Sequence, residues 1–382
     1  MKPIRSQIIV WTVVMSLLLG ALPASAGTKM YGYNDQKANR TFVPIRFISE
    51  QTGAKVQWNS KDGKVTIIKD TKVITFFVDK PQAMVDDKKV TLDDKPFREE
   101  GVVYAPLKFI CQSLGLSAKM DSATSSLFIT YEGDTYKLPV INKGVKVSSG
   151  EPIKHAKRSF RVGGSSMSVD IVTVTLLHPS IDLSVGIAGG AVGRVEELKT
   201  LASRHKAVVA MNGTFFDAYS DASFKTPYGY IVNNGEIKKK SSGDRKTVFL
   251  FDEMNRAEMV AGLSFPERYE QGDVDGALQV GPRLVTNGKI TLNVKEEGFR
   301  DPKILTGGGA RSAIGLTRDH KLLLVTSKGA TIPQMASIMK QAGAYQAMNM
   351  DGGASSGLYY KGSYITTPGR KISNALLITQ SR

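Results

Sequence analysis

Cysteine occurs once, at Cys111, so no disulfide can close within the chain and its stability must come from packing. Cys111 lies beside Phe109 and Ile110 in an apolar helical pattern, which reads as a buried, inert thiol and not a nucleophile. Histidine is nearly as scarce. His155, His178, His205 and His320 are scattered and share no ligand spacing, which argues against a zinc site. Acidic residues are in deficit, 35 against 51 Lys and Arg, for a net charge of +16. Long apolar runs are missing beyond the first residues, so no later segment has the length to span a bilayer.

What is present begins with a basic start (Lys2, Arg5), a short apolar middle from Ile8 to Leu22, and Ala24-Ser25-Ala26. That pattern predicts a secretory signal peptide over 1–26, cut after Ala26, and places the mature protein outside the cytoplasmic membrane with no transmembrane span. The leader removes two positive charges and no negative one, so the mature chain stays strongly basic. An excess of this size favours anionic neighbours. For an exported protein those are phosphate-bearing wall polymers or the membrane surface, not nucleic acid.

With 382 residues, two domains are the expectation. In the first third, Phe42-Val43-Pro44-Ile45-Arg46-Phe47-Ile48 matches Tyr104-Ala105-Pro106-Leu107-Lys108-Phe109-Ile110 in type at an offset of 62 residues. The register holds without a gap: Gly53 meets Gly115, Trp58 meets Met120, and Val65–Ile67 meets Leu127–Ile129. A duplicated unit is the simplest explanation. Each copy predicts a helix (Ile45 to Thr52; Leu107 to Leu114) that starts after proline and stops at glycine, followed by a pair of short strands. Over Tyr31 to Lys137 this tandem resembles the stalk domain named after the N-terminal region of copper amine oxidases. The resemblance implies a non-catalytic spacer or attachment unit and no copper chemistry.

Residues 138–165 are poor in large apolar side chains and carry Lys143, Lys146, Lys154, Lys157, Arg158 and Arg161 against Glu151 alone. They read as a basic linker, able to serve as a polyanion-binding strip.

From 166 to 382 β-rich runs are punctuated by glycine, and two helices stand out, Val195 to His205 and Ile332 to Ala342. Few helices among hairpin-like strands predict an α+β domain with a mixed sheet. Each helix leads into a strand ending in Ala-Met-Asn, at Asn212 and at Asn349. Asn212-Gly213 opens one loop; Asn349-Met350-Asp351-Gly352-Gly353-Ala354-Ser355-Ser356 forms the other. Loops at strand ends are where scaffolds place chemistry. Paired glycines let backbone amides face an anion, the serines add hydroxyl donors, and a carboxylate beside such donors can be held ionised as base or nucleophile.

Asn212–Phe216, Gly281-Pro282, Arg311–Gly315, Asn349–Ser356 and Pro368–Ala375 occur in the order seen in the phosphodiester glycosidase family, that of the N-acetylglucosamine-1-phosphodiester α-N-acetylglucosaminidases, which the chain resembles over about 166–382. The resemblance implies hydrolysis of a sugar joined through C1 to a phosphodiester, with no cofactor; calcium beside Asp351 is compatible with the sequence. It assigns Asp351 as nucleophile or base at C1, with Asn212 and Asn349 orienting it or the sugar hydroxyls. Arg311 and Arg370 would grip the phosphate, and Gly213, Gly352, Gly353, Ser355 and Ser356 would complete the pocket. Asp217 is a second candidate acid. One departure is Ala354, where the family often has a third glycine; it matters only if that position needs a positive φ. The expected substrate is a phosphate-containing carbohydrate of wall or extracellular polysaccharide, teichoic acid among them. The alternative is a non-catalytic envelope protein that binds polysaccharide through the repeat and the basic strip.

Overall fold

The computed structural model describes residues 29–241 and 243–381. The expected leader lies outside the described residues. No helix among those described is long and apolar enough to cross a membrane.

Both copies of the repeat adopt the predicted elements. Strand Arg40–Pro44 runs into helix Ile45–Thr52, and strand Val102–Pro106 into helix Leu107–Leu114. The two strands pair antiparallel with Val43 opposite Ala105, residues that are themselves equivalent at the 62-residue offset. A local two-fold axis therefore passes between them and relates the copies. Helix residues Phe47, Ile48, Phe109 and Ile110 pack with Ile67, Ile74, Leu127 and Ile129 in one shared core. The seven-stranded sheet built around this pair holds one parallel contact, Gly32–Asp35 against Asp134–Asn142; a separate five-stranded sheet runs from Lys55 to Thr91.

The C-terminal part is mostly sheet. A seven-stranded sheet contains the strands Ser165–Thr175, Lys321–Ala330, Gly309–Leu316 and Gln346–Asn349 in that spatial order. A five-stranded sheet contains Ile181–Ile187, Asn374–Gln380, Val209–Asn212 and Leu358–Tyr360 in that order, and a third sheet runs through Val248–Phe251. Alternation along the strands builds two layers of packing. Met211, Ile314 and Met348 point into a core shared by all three sheets with Phe249 and Leu278. Their neighbours point the other way: Ala210 meets helix Leu198–Arg204, and Ala313 and Ala347 meet helix Ile332–Gln341.

Two expectations are corrected. The C-terminal sheets are not mixed, because every strand pairing described there is antiparallel. Each helical crossover does return the chain in its original direction, but it skips one position, and an antiparallel strand fills the gap: Asn374–Gln380 in one sheet, Gly309–Leu316 in the other. The basic segment 138–165 is shorter as a linker than expected: only residues 143–152 connect the two sheets without regular structure. Asp134–Asn142 belongs to the N-terminal sheet and Ile153–Val162 is an edge strand of the seven-stranded sheet. An edge strand needs few apolar residues; here Ile153, Phe160 and Val162 are buried while Lys154, Lys157, Arg158 and Arg161 face solvent. Charges on an edge also discourage pairing with another chain.

The second copy of the repeat carries much of the contact with the C-terminal part. Asp319 accepts hydrogen bonds at 3.0 Å from both the backbone and the side-chain amide of Asn142, His320 Nε2 meets Ser125 O at 3.0 Å, and Arg256 donates to Lys137 O at 2.8 Å. Burial holds the His320 pKa at about 4, so the ring is neutral in the fold. A cavity of about 830 Å³ opens at this junction, lined by Phe47, Tyr136, Lys137, Arg256 and Arg268 among others. Asp319→Ala leaves the two Asn142 donors unanswered and is expected to lower the stability of the full chain by about 1–2 kcal/mol in urea unfolding. An unchanged midpoint would show that the junction does not depend on them.

Candidate active site

The strand Val209–Asn212 ends with its asparagine almost wholly buried, at 1% exposure. A buried amide needs partners, and Asn212 finds them on two other segments. Its Oδ1 accepts from the Ser312 hydroxyl at 2.8 Å and from the Gly357 amide at 2.9 Å, while its Nδ2 donates to the carbonyl of Asp351 at 2.7 Å. The two asparagine loops therefore meet in space. Gly213 tightens the junction: its carbonyl accepts from the Asp351 amide at 3.2 Å and its amide donates to Asn374 O at 2.9 Å. A Cβ at Gly213 would fall 1.9 Å from Asn374 Oδ1, so only glycine fits. Asn374 also binds Thr214 through both its side-chain oxygen and nitrogen, at 2.9 and 2.7 Å.

On the second loop Asn349 is fully buried, its amide donating to Pro282 O at 2.9 Å in the Gly281-Pro282 motif. Among the described residues, Asn349 Oδ1 and Ser356 Oγ are buried without a hydrogen-bond partner. Such atoms are rare in native folds and mark places where a bound molecule can complete the bonding. Gly353 has φ of 59° and begins a short 3₁₀ turn to Ser355, closed by Ser355 N to Gly352 O and Ser356 N to Gly353 O at 3.2 and 3.1 Å. Ala354 is not among the residues of positive φ, so alanine there carries no backbone strain.

Asp351 departs from expectation. The Gly352 amide does not face outward as part of a phosphate cradle; it donates to Asp351 Oδ1 at 2.9 Å. Burial pushes the Asp351 carboxyl up to about 7, against the opposing pull of the Ser355 hydroxyl, the Gly352 amide and the charge of Arg370. Desolvation thus outweighs the donors that were expected to keep it ionised. The residue as a whole is only partly buried, while its carboxyl is strongly desolvated. A carboxyl poised near neutrality suits acid–base or nucleophilic work.

The two arginines separate in role. Arg311 is buried, with Nε donating to Ala330 O at 3.1 Å and Nη2 to Lys303 O and Gly307 O at 2.6 and 3.0 Å. These bonds make it a strut between backbone segments and take up Nε and Nη2 of the guanidinium that was expected to grip phosphate. Only its Nη1 turns to the loop, 3.1 Å from where a Cβ on Gly352 would sit. Arg370 is half-buried and donates to the Tyr219 hydroxyl at 2.8 Å. Asp217 accepts from the Ser220 amide at 3.2 Å and so serves its own turn.

Several residues here escaped the sequence reading. Ser312, Ser373 and Asn374 lie inside recognised motifs, but their role as buried cross-links shows only in three dimensions. Glu297 gave no signal: it is a half-buried carboxyl that accepts from Thr247 and from the Arg283 amide, with its pKa raised by desolvation. Tyr219 and Lys303, which stand beside Arg370, also gave none. Among the described residues no group of three or more His, Cys, Asp or Glu side chains gathers as a metal site.

Residues 205–379 match the model of the phosphodiester glycosidase family, and residues 33–129 and 85–167 match that of the copper amine oxidase N-terminal domain. No curated protein sequence matches the chain. Among solved structures, the chain is similar to the zebrafish N-acetylglucosamine-1-phosphodiester α-N-acetylglucosaminidase catalytic domain auto-inhibited by its pro-peptide. That similarity has a TM-score of 0.52 and 21% identity, covering 62% of this chain and 85% of the other. It is also similar to a hypothetical protein from Synechocystis, with a TM-score of 0.55, 14% identity and coverage of 92% and 96%. At such identities these two likenesses concern the fold alone. By its family matches the chain joins a region similar to phosphodiester glycosidases, at 205–379, to one similar to the copper amine oxidase N-terminal domain, within 33–167.

Proposed function

We propose that this chain is a hydrolase of glycosyl phosphodiesters in which Asp351 acts at the sugar C1, as nucleophile or as base toward water. The observation that carries this reading is a desolvated carboxyl, near neutrality, pinned where two loops meet and acted on by the charge of Arg370. Breaking the bond from C1 to the phosphate oxygen develops oxocarbenium character on the sugar, which a carboxylate stabilises or traps. The leaving phosphate is weakly basic and departs with little protonation. A single carboxylate then suffices, and the cations have only to stabilise the departing anion. Asn349 Oδ1 and Ser356 Oγ, closed off beneath the loop, are polar atoms that an ordered internal water would satisfy.

The finer assignment is to an exported enzyme acting on wall or extracellular polysaccharide such as teichoic acid. The leader-like start, the net charge of +16 and the exposed basic edge strand support it. The N-terminal repeat serves as spacer or attachment unit, and turnover measured with and without chelator tests whether a cation such as calcium takes part.

Asp351→Asn is expected to reduce release of free sugar from an α-linked N-acetylglucosamine-1-phosphodiester by about 10³-fold or more. In the wild type, activity should rise with pH through about 7 as the carboxylate form fills. An active asparagine variant, or wild-type protein that retains wall polymer without any turnover, overturns the enzymatic reading. Stability should move the opposite way. A folded-state pKa near 7 against an unfolded one near 4 means the fold binds the extra proton at Asp351, so this group's contribution to stability is fully present below about 4 and is lost as pH rises through about 7. Asp351→Asn removes that penalty and should be more stable than wild type at pH 8 by roughly 1–2 kcal/mol, measured by denaturant unfolding.

A further inference from the structure

Three surface segments, bearing Tyr219, Lys303 and Arg370, come together near Asp351, and only Arg370 has so far been given a role. Tyr219 is 77% exposed, so its ring is not a core residue. Arg370 lies with its guanidinium carbon 4.5 Å from the ring centroid and donates to the hydroxyl, while Lys303 Nζ is 5.6 Å from the same centroid. Two cations are thus gathered on one aromatic ring. No salt bridge joins either of them to a carboxylate among the described residues, although sixteen such bridges occur elsewhere in the chain. Like charges repel, and a ring quadrupole answers each cation only weakly at an exposed site. An anion placed between them would relieve the repulsion and gain charge-assisted hydrogen bonds from both.

Electrostatics tie the cluster to the reacting centre. The hydrogen bond and charge of Arg370, with the charge of Lys303, hold the Tyr219 phenol below its usual range, while Asp351 is close enough to oppose them. Arg370 in turn acts on Asp351. The backbone makes the same connection. Arg311 Nη2 holds the Lys303 carbonyl while its Nη1 faces Gly352, so the segment bearing Lys303 and the loop bearing Asp351 are braced on one buried guanidinium.

Resting on the glycosidase reading above, we propose that Lys303 and Tyr219, with Arg370, form the subsite for the anionic phosphate on the leaving side of the scissile bond, and that Arg311 positions this subsite relative to Asp351. Lys303 supplies a mobile point charge and Arg370 a planar fork. The Tyr219 hydroxyl, released when Arg370 turns to the ligand, supplies a further donor. The subsite selects a substrate whose leaving group carries a phosphate charge over one with a neutral aglycone.

The test compares the full chain with Lys303→Gln and Tyr219→Phe, exposed positions at which folding is not at risk. Two substrates of the same sugar are used, a 1-phosphodiester and a neutral nitrophenyl glycoside. The ratio of kcat/KM for the charged over the neutral substrate is expected to fall about tenfold in Lys303→Gln, mainly through KM, and by less in Tyr219→Phe. An unchanged ratio in both variants overturns the subsite. Calorimetric binding of glycerol phosphate and of inorganic phosphate to wild type and Lys303→Gln separates this result from failure of the glycosidase reading. Loss of glycerol phosphate binding in the variant supports the subsite even if no glycoside is cleaved. Equal binding by the two proteins counts against it even if the enzyme is active. Retention of inorganic phosphate alone by the wild type would show a free-phosphate site and overturn the leaving-group assignment.

Discussion

The side-chain amide of Asn212 is the constraint on which the rest of the site depends. It ends a central strand of one sheet, receives a hydroxyl from Ser312 in another, and holds the carbonyl of Asp351 and the amide of Gly357 at the two ends of the second loop. All of these bonds lie in a region where water is largely excluded, so each is stronger than it would be in solvent and each is costly to leave unmade. Two sheets that could otherwise slide on an apolar core are thereby fixed at one polar point. That point lies beside the carboxyl that must be held in register.

The same packing sets the chemistry of Asp351. Desolvation raises its pKa towards 7, and three weaker influences draw it back: a hydroxyl, an amide and one arginine. Were the donors stronger, the carboxylate would be stable and a poor base; were they absent, it would stay protonated at neutral pH. The balance leaves a group that changes charge in the range where an enzyme would work, at a cost in stability that the fold carries elsewhere. A second carboxylate is not required when the leaving group is a phosphate, because the acid in an ordinary glycosidase exists to protonate a basic alkoxide.

How much of this could be read in advance follows from the range of each signal. Helices Ile45–Thr52 and Leu107–Leu114 were legible because proline, apolar spacing and glycine are local marks, and the repeat doubled them. The meeting of the Asn212 and Asn349 loops was legible as an expectation, since both asparagines end strands that follow helices. What failed was whatever depended on the third dimension. Arg311 stands in a motif that suggests anion binding, yet its partners are the carbonyls of Lys303, Gly307 and Ala330, contacts invisible along the chain. Ile153–Val162 looked like a linker because an edge strand exposes most of its side chains. Tyr219 and Lys303 sit in polar stretches without periodicity, where one aromatic or one lysine carries no message.

The duplicated N-terminal unit shows how symmetry in sequence becomes asymmetry in use. The local two-fold through Val43 and Ala105 gives each copy an equivalent surface. Yet the hydrogen bonds to the C-terminal part come from the second copy and the strand that follows it, through Ala123 O, Ser125 O, Lys137 O and Asn142, while the first copy contributes apolar contact through Phe42. The positions equivalent to Ala123 and Ser125 in the first copy, Lys61 and Gly63, are exposed and partly exposed. Gln346, which donates to Ala123 O, lies on the same strand as Asn349, so the docked copy braces the strand that presents the site loop. A single unit could have supplied that brace. Duplication supplies it and leaves the equivalent positions of the first copy, Lys61 and Gly63, outside that brace.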